Sequence, residues 1–306
     1  MLLLVDLDGV VYRGREPVPG VAAVLAARVA KGDEVVYVTN NSMHYRADYV
    51  ARLGAMGAPV AADRVVSSAR ATALYLAEHE PPVRRVLVLG GRGLRRELED
   101  VGLAVVDARE AAEELARREA EAAAEGPVGG ADEAGPGPGA GAGAPSDPFE
   151  LAGRPDAVVV GLDPALTYRT LAFAADVIRA GARFVATNRD PVYPSERGLR
   201  PGAGAIVAAL ETTTGVTPVS IGKPAPFLLE EAARAVGRRA AEAVMIGDGL
   251  LTDLAAAHAV GARSVLMLTG VTTRAQLEAL PASQRPDAVA ADAAELAAVL
   301  DRLARS

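Results

Sequence analysis

The 306 residues carry 32 Lys and Arg against 39 Asp and Glu, a formal net charge of -7, so neither nucleic acid nor an anionic membrane surface is an expected partner. Half of the residues are hydrophobic and only 4% aromatic, which suits helices packed on a parallel sheet better than an aromatic-lined groove. Cysteine is absent. That removes disulfides, thiolate metal sites and a cysteine nucleophile, and with no long apolar run and no basic leader the expected location is the cytoplasm.

The first element is an apolar run from Met1 to Val5 that ends in two acids, Asp6 and Asp8, before Gly9. It reads as a buried central strand that delivers carboxylates to its carboxyl end, where open α/β sheets keep their chemistry. One acid there can attack while the other handles a proton; a solvated acidic turn is the structural alternative. A helix over residues 19–30 follows, then a strand over 34–38 that ends in Thr39, Asn40, Asn41 and Ser42. Such a tip is either a cup of donors for an anion or a helix cap and turn. A third strand is predicted near residues 65–68, with a helix over 69–78.

Pro81 and Pro82 mark a boundary. Beyond them a second, smaller α/β module is predicted, with strands at 85–90, 103–107, 156–163 and 183–187 and helices between them. Residues 126–148 are rich in Gly, Pro and Ala; they cannot bury enough apolar surface to offset their ordering entropy and read as a flexible insertion. The loop 188–200 carries Asn188, Asp190 and Tyr193 and either faces a substrate or connects the modules. The predicted division is a core of residues 1–81 and 196–306 and an inserted domain of 82–195.

Lysine occurs only at Lys31 and Lys223. Lys31 reads as the basic last turn of a helix before Gly32. Lys223 is held between Gly222 and Pro224 at the mouth of a helix, where a point charge suits a phosphate, although a solvated loop lysine has the same local pattern. Residues 243–247 form another apolar strand, followed by Asp248 and, five residues on, Asp253. Carboxylates converging on an acidic first strand, without His or Cys ligands, describe a site for a hard cation, and a mixed oxygen shell fits magnesium; Thr252 and Asp253 as a helix N-cap pair are the structural alternative. Strands near 264–268 and 287–290 and a final helix complete a doubly wound parallel sheet.

The four strand tips DLDGVVYRG, TNNS, GKP and GDGLLTD resemble, in this order, the four motifs of the haloacid dehalogenase (HAD) superfamily. The inserted stretches VGLD, ATNRDPVYP and GLRPGAGAIVAALE resemble its class IIA subfamily, the NagD-like group of 4-nitrophenyl, phosphoglycolate and pyridoxal phosphatases, in which an α/β cap lies between the second and third motifs. The resemblance implies a Rossmann-like core with an inserted α/β cap of class IIA and a Mg²⁺-dependent phosphomonoesterase for small phosphorylated metabolites. It implies Asp6 as the nucleophile that forms an aspartyl phosphate and Asp8 as the acid and base. Thr39 and the backbone around Asn40 and Asn41 would bind the phosphoryl group, and Lys223 would offset its charge. Magnesium would be held by Asp6, the Asp8 carbonyl and Asp248, with Asp253 orienting its water, and Asn188, Asp190 and Tyr193 would read the leaving group. A cap-mediated homodimer is compatible with the resemblance. Gly249 departs from it, since relatives often carry Arg or Asn there. An idle member of the family that binds a phosphometabolite or a partner is the alternative.

Overall fold

The computed structural model describes residues 1–124, 147–195 and 198–305. The core sheet has six strands, all parallel, in the order Ala288–Ala290, Arg263–Met267, Ala243–Gly247, Leu2–Asp6, Glu34–Thr39 and Val65–Ser67. Leu2 to Val5 are fully buried because both faces of the sheet are covered, and alternation along the strand divides them. Leu2 and Leu4 pack with Leu76, Leu228 and Leu229 on one face, whereas Leu3 and Val5 pack with Val21, Leu25, Leu296 and Leu300 on the other. The chain leaves the first strand towards Glu34–Thr39 and later returns to Ala243–Gly247 on its opposite side. The order therefore reverses between Leu2–Asp6 and Ala243–Gly247, and the crevice at their carboxyl ends is the topological switch point where such sheets bind ligands.

The second sheet has five parallel strands in the order Val219–Ser220, Arg183–Ala186, Ala157–Val160, Arg85–Leu89 and Ala104–Asp107. The cap sheet extends past the expected boundary at residue 195. Val219–Ser220 is hydrogen-bonded to Arg183–Ala186, and the helix Ala203–Thr214 packs Ile206, Val207 and Leu210 against Val158, Val160 and Phe184. The cap sheet thus runs on to Ser220, three residues before Lys223. Part of the expected loop 188–200 is a hairpin of Val192–Ser195 and Gly198–Pro201. Of the Gly/Pro/Ala-rich insertion, residues 126–146 lie outside the described residues; Asp147 caps the helix Pro148–Leu151 by accepting the Phe149 N–H.

The two sheets share an apolar cluster in which Leu2, Val36 and Ala73 of the core meet Val86, Leu94 and Leu98 of the cap. At its edge the wholly buried Glu97, on the cap helix Arg92–Glu99, pairs with Arg46 of the core and lies 3.7 Å from Arg70. Among the described residues no helix is long and apolar enough to cross a membrane.

Candidate active site

Asp6 ends the first strand and is buried. The chain folds back directly after Asp8, with the N–H groups of Val11 and Tyr12 donating to the Leu7 carbonyl at 2.9 and 3.1 Å. Gly9 at this bend has φ +81°, and a Cβ on it or on Gly270 would overlap the Asp248 carboxylate. Two glycines from different strand ends thus make room for one acid. Asp248 follows Ala243–Gly247, accepts the Val271 N–H on Oδ2 at 2.7 Å, and takes the Thr272 hydroxyl on its carbonyl. The Thr269 hydroxyl donates to the Gly9 carbonyl at 2.6 Å, which joins these two loops.

Asp253 lies in a short π-helical turn, Leu250–Leu254. Its Oδ2 accepts the N–H groups of Asp248 and Gly249 at 3.1 and 2.9 Å, and its Oδ1 accepts the Lys223 Nζ at 2.6 Å. The same ammonium donates to Asp6 Oδ1 at 2.5 Å. Lys223 is therefore not a solvated loop lysine: it is 3% exposed and bridges the third and fourth motifs to the first. Ligand atoms of Asp6, Asp248 and Asp253 all lie within 4.8 Å of one another.

Three buried carboxylates facing one ammonium leave an excess of negative charge. Burial pushes the Asp6 carboxyl well above its usual range, with Lys223 opposing and Asp253 and Asp248 adding to the rise. Burial and then Asp253 push Asp248 up to about 6. Burial works against the Lys223 ammonium, but Asp253 and Asp6 outweigh it and hold the proton above the ordinary lysine value. Lys223 and Val271 occupy one oxygen each of Asp6 and Asp248, which leaves the other oxygen of each for a cation. An all-oxygen donor set with uncompensated charge fits a hard divalent ion such as magnesium. Both Asp253 oxygens are engaged within the protein, which suits holding Lys223 and the loop.

The Asp8 carboxylate is not a member of this cluster. It is half-buried, and burial raises its carboxyl above the usual range against the opposing charges of Arg52, Lys223 and His44. A carboxyl that keeps its proton to higher pH is suited to proton donation. Thr39, the buried last residue of Glu34–Thr39, accepts the Asn41 N–H on Oγ1 at 3.2 Å, so its hydroxyl proton remains to be donated.

Most of the remaining predicted side chains have hydrogen-bond partners within the protein. The Asn41 side chain accepts the Met43 N–H at 2.9 Å and shapes the turn. The Asn40 amide pairs with the Lys223 main chain and with Asp190 Oδ1. Asn188 is buried and donates to the Asn40 carbonyl at 2.7 Å. Asn188 and Asp190 thus tie the cap to the TNNS turn. Tyr193 is half-buried in the strand Val192–Ser195. Gly249 carries no side chain where a Cβ would overlap the Thr252 hydroxyl. Thr269, Gly270 and Thr272 escaped the sequence reading, although their place just after the strand Arg263–Met267 puts them at a strand tip like the others.

Residues 3–104 match the family of haloacid dehalogenase-like hydrolases, and residues 220–296 match a HAD-hydrolase-like family. The chain is 34% identical over 275 residues to the acid sugar phosphatase of Staphylococcus saprophyticus, covering 90% of this chain and 89% of that protein. It superposes on the p-nitrophenyl phosphatase from Archaeoglobus fulgidus with a TM-score of 0.77 at 28% identity, over 97% of this chain and 98% of that one. The glycerol phosphate phosphatase from Mycobacterium tuberculosis in complex with magnesium gives 0.75 at 36% identity, over 96% of this chain and 75% of that one. The chain belongs to the haloacid dehalogenase-like hydrolases, in the phosphatase group that these proteins represent.

Proposed function

We propose that this phosphatase hydrolyses small phosphorylated metabolites of the sugar phosphate and glycerol phosphate kind in the cytoplasm, depends on Mg²⁺, and works through an aspartyl phosphate on Asp6. The observation that carries the reading is the Lys223 ammonium between Asp6 and Asp253 at 2.5 and 2.6 Å, inside a buried cluster of acids. A carboxylate facing a phosphate dianion is repelled unless cations and donors neutralise both. Asp6 and Asp248, with the Asp8 main-chain carbonyl, would hold magnesium, which would supply neutralising charge to the phosphoryl oxygens.

In the first step an Asp6 oxygen forms a bond to phosphorus while the ester P–O bond breaks, and the Asp8 carboxyl gives its proton to the departing alkoxide. In the second, the Asp8 carboxylate takes a proton from water as that water attacks phosphorus, and the acyl phosphate bond to Asp6 breaks to release phosphate. The Thr39 hydroxyl and the Lys223 ammonium donate to the phosphoryl oxygens throughout. Asp253 holds Lys223 and the Asp248 loop and would orient water on the bound cation. Every group in this scheme comes from one chain, and the inserted α/β cap lies over it, with Tyr193 on the hairpin as the residue that contacts the leaving group.

The test is phosphate release from glycerol phosphate, a panel of sugar phosphates and 4-nitrophenyl phosphate, with Mg²⁺ and with EDTA. Metal-dependent release that disappears in Asp6→Asn supports the reading. Release that persists after thorough chelation, or in Asp6→Asn, overturns the metal or the nucleophile assignment respectively.

A further inference from the structure

Asn40 directly follows Thr39, yet its side chain is spent inside the protein. Its Oδ1 accepts the Lys223 N–H at 2.8 Å, and its Nδ2 donates to the Lys223 carbonyl at 2.9 Å and to Asp190 Oδ1 at 3.0 Å. One amide that binds both the N–H and the C=O of a residue acts as a ladder partner and fixes the peptide planes on either side of that residue's Cα. The direction in which the Lys223 side chain leaves the backbone follows from those planes. The neighbouring Gly222 permits the approach, because a Cβ there would come 2.6 Å from Asn40 Oδ1 and 2.6 Å from the Thr187 carbonyl. On its other side the segment is tied to the cap, with Ile221 and Gly222 donating to Ala186 and Thr187 at 3.0 and 2.8 Å. The Asn40 carbonyl is itself held by the Ser68 hydroxyl at 2.5 Å and by Asn188 at 2.7 Å.

We propose that Asn40 is the positioning residue for Lys223, and that Asp190 and Asn188 clamp it from the cap so that the seating of the cap sets the aim of the ammonium. The assignment rests on the phosphatase reading for its consequence and on geometry for its cause. The Asn40 side chain does not touch the reacting atoms in this scheme; it acts through Lys223.

Two measurements test it in the full chain. Amide hydrogen exchange across residues 218–226 should show the Lys223 N–H of Asn40→Ala exchanging about 5- to 10-fold faster, as expected for one lost hydrogen bond, while amides of Leu2–Asp6 and Ala243–Gly247 keep wild-type rates. In turnover, Asn40→Ala should lower kcat by ~10- to 100-fold with KM little changed, the scale of a small misplacement of a charged group. In a Lys223→Ala background the same substitution should cost nothing further. Equal losses in both backgrounds, or unchanged exchange at Lys223, overturn the proposal. Gly222→Ala displaces the Asn40 amide from the opposite side and should reproduce both effects, which keeps the test open if Asn40→Ala does not fold. A wild type without turnover sinks the phosphatase reading alone. The exchange arm, and a cycle of inorganic phosphate affinities over the same four proteins, still decide the Asn40 assignment: affinity loss only in the presence of Lys223 supports it, and equal loss in both backgrounds overturns it.

Discussion

The core sheet and the cap sheet follow one construction rule, parallel strands of which the central ones are buried on both faces, but their carboxyl ends carry different residues. Core strands end in Asp6 and Thr39 or lead into Asp248 and Thr269. The three central cap strands lead into Gly90, Gly161 and Thr187 with Asn188. A Cβ on Gly161 would stand 2.7 Å from the Ser42 hydroxyl, and Asn188 reaches the Asn40 carbonyl. Core ends concentrate unbalanced charge, whereas the three central cap strands lead directly into small and neutral groups, of which Gly161 and Asn188 close onto the TNNS turn. The contrast separates two costs: substitutions at core ends should remove chemistry and leave the fold, and substitutions in the ion-paired seam of Arg46 and Glu97, away from the Asn40 clamp, should do the reverse.

Asp6→Asn is the sharpest break on the chemical side. Loss of the nucleophile should lower kcat by ~10⁴-fold or more, while thermal unfolding in EDTA shows no loss of Tm, because the change removes part of an excess of buried negative charge. A variant that unfolds at markedly lower temperature would make Asp6 a structural acid. Asp8→Asn should cost about 10²- to 10⁴-fold on an alkyl phosphate such as glycerol phosphate. With 4-nitrophenyl phosphate, whose phenolate leaves without a proton, the loss in the first step should be smaller. Burst kinetics on the two substrates check this, and equal losses would remove Asp8 from the donor role.

Much of this contrast was legible in the sequence. Apolar runs such as Leu2–Val5 and Ala243–Ile246 announce strands buried on both faces, and an acid placed directly after such a run has one destination, the carboxyl end of the sheet. The convergence of Lys223 on Asp6 and Asp253 was legible only as a motif order, since the contacts span 217 and 30 residues. Val219–Ser220 was missed as a cap strand because two residues carry no periodicity. The loop of Asn188 and Asp190 left a substrate-facing and a connecting role open; in the structure Asn188 donates to the Asn40 main-chain carbonyl and Asp190 accepts from the Asn40 side-chain amide, 148 and 150 residues away. Amide side chains bind whatever main chain is near, so local pattern does not disclose their roles.

On the structural side, Arg46→Ala should destabilise by about 3 kcal/mol with kcat changed less than tenfold. Glu97 is wholly buried between the helices of cap and core. Burial already raises its carboxyl above the usual range against the opposing charges of Arg46 and Arg70. Without Arg46 it remains buried beside a guanidinium 3.7 Å away, a poorer partner. Urea unfolding of Arg46→Ala, and of Arg46→Ala with Glu97→Gln, separates the cost of an unpaired charge from lost packing: the second variant should regain most of the loss. An equal loss in both would assign the effect to packing.

The smallest expected effect ties the two regions together through pH. The Asp248 carboxyl rises from 3.8 to about 6 on folding, through burial and then Asp253, and Asp6 is raised in the same direction. A group whose folded pKa lies above its unfolded one binds a proton more tightly in the native state. Its contribution is therefore fully present below pH 3.8 and is lost as pH rises through about 6. In EDTA, wild-type stability should fall between pH 5 and pH 7 by on the order of 2 kcal/mol, whereas Asp248→Asn should be flatter over that range. Magnesium competes with the proton for the same oxygens and should restore Tm most at pH 7 and least at pH 5. A wild-type Tm in EDTA that rises over this window would mean that the acid cluster is balanced without a metal, and the distinction between a charged core end and a neutral cap end would lose its energetic basis.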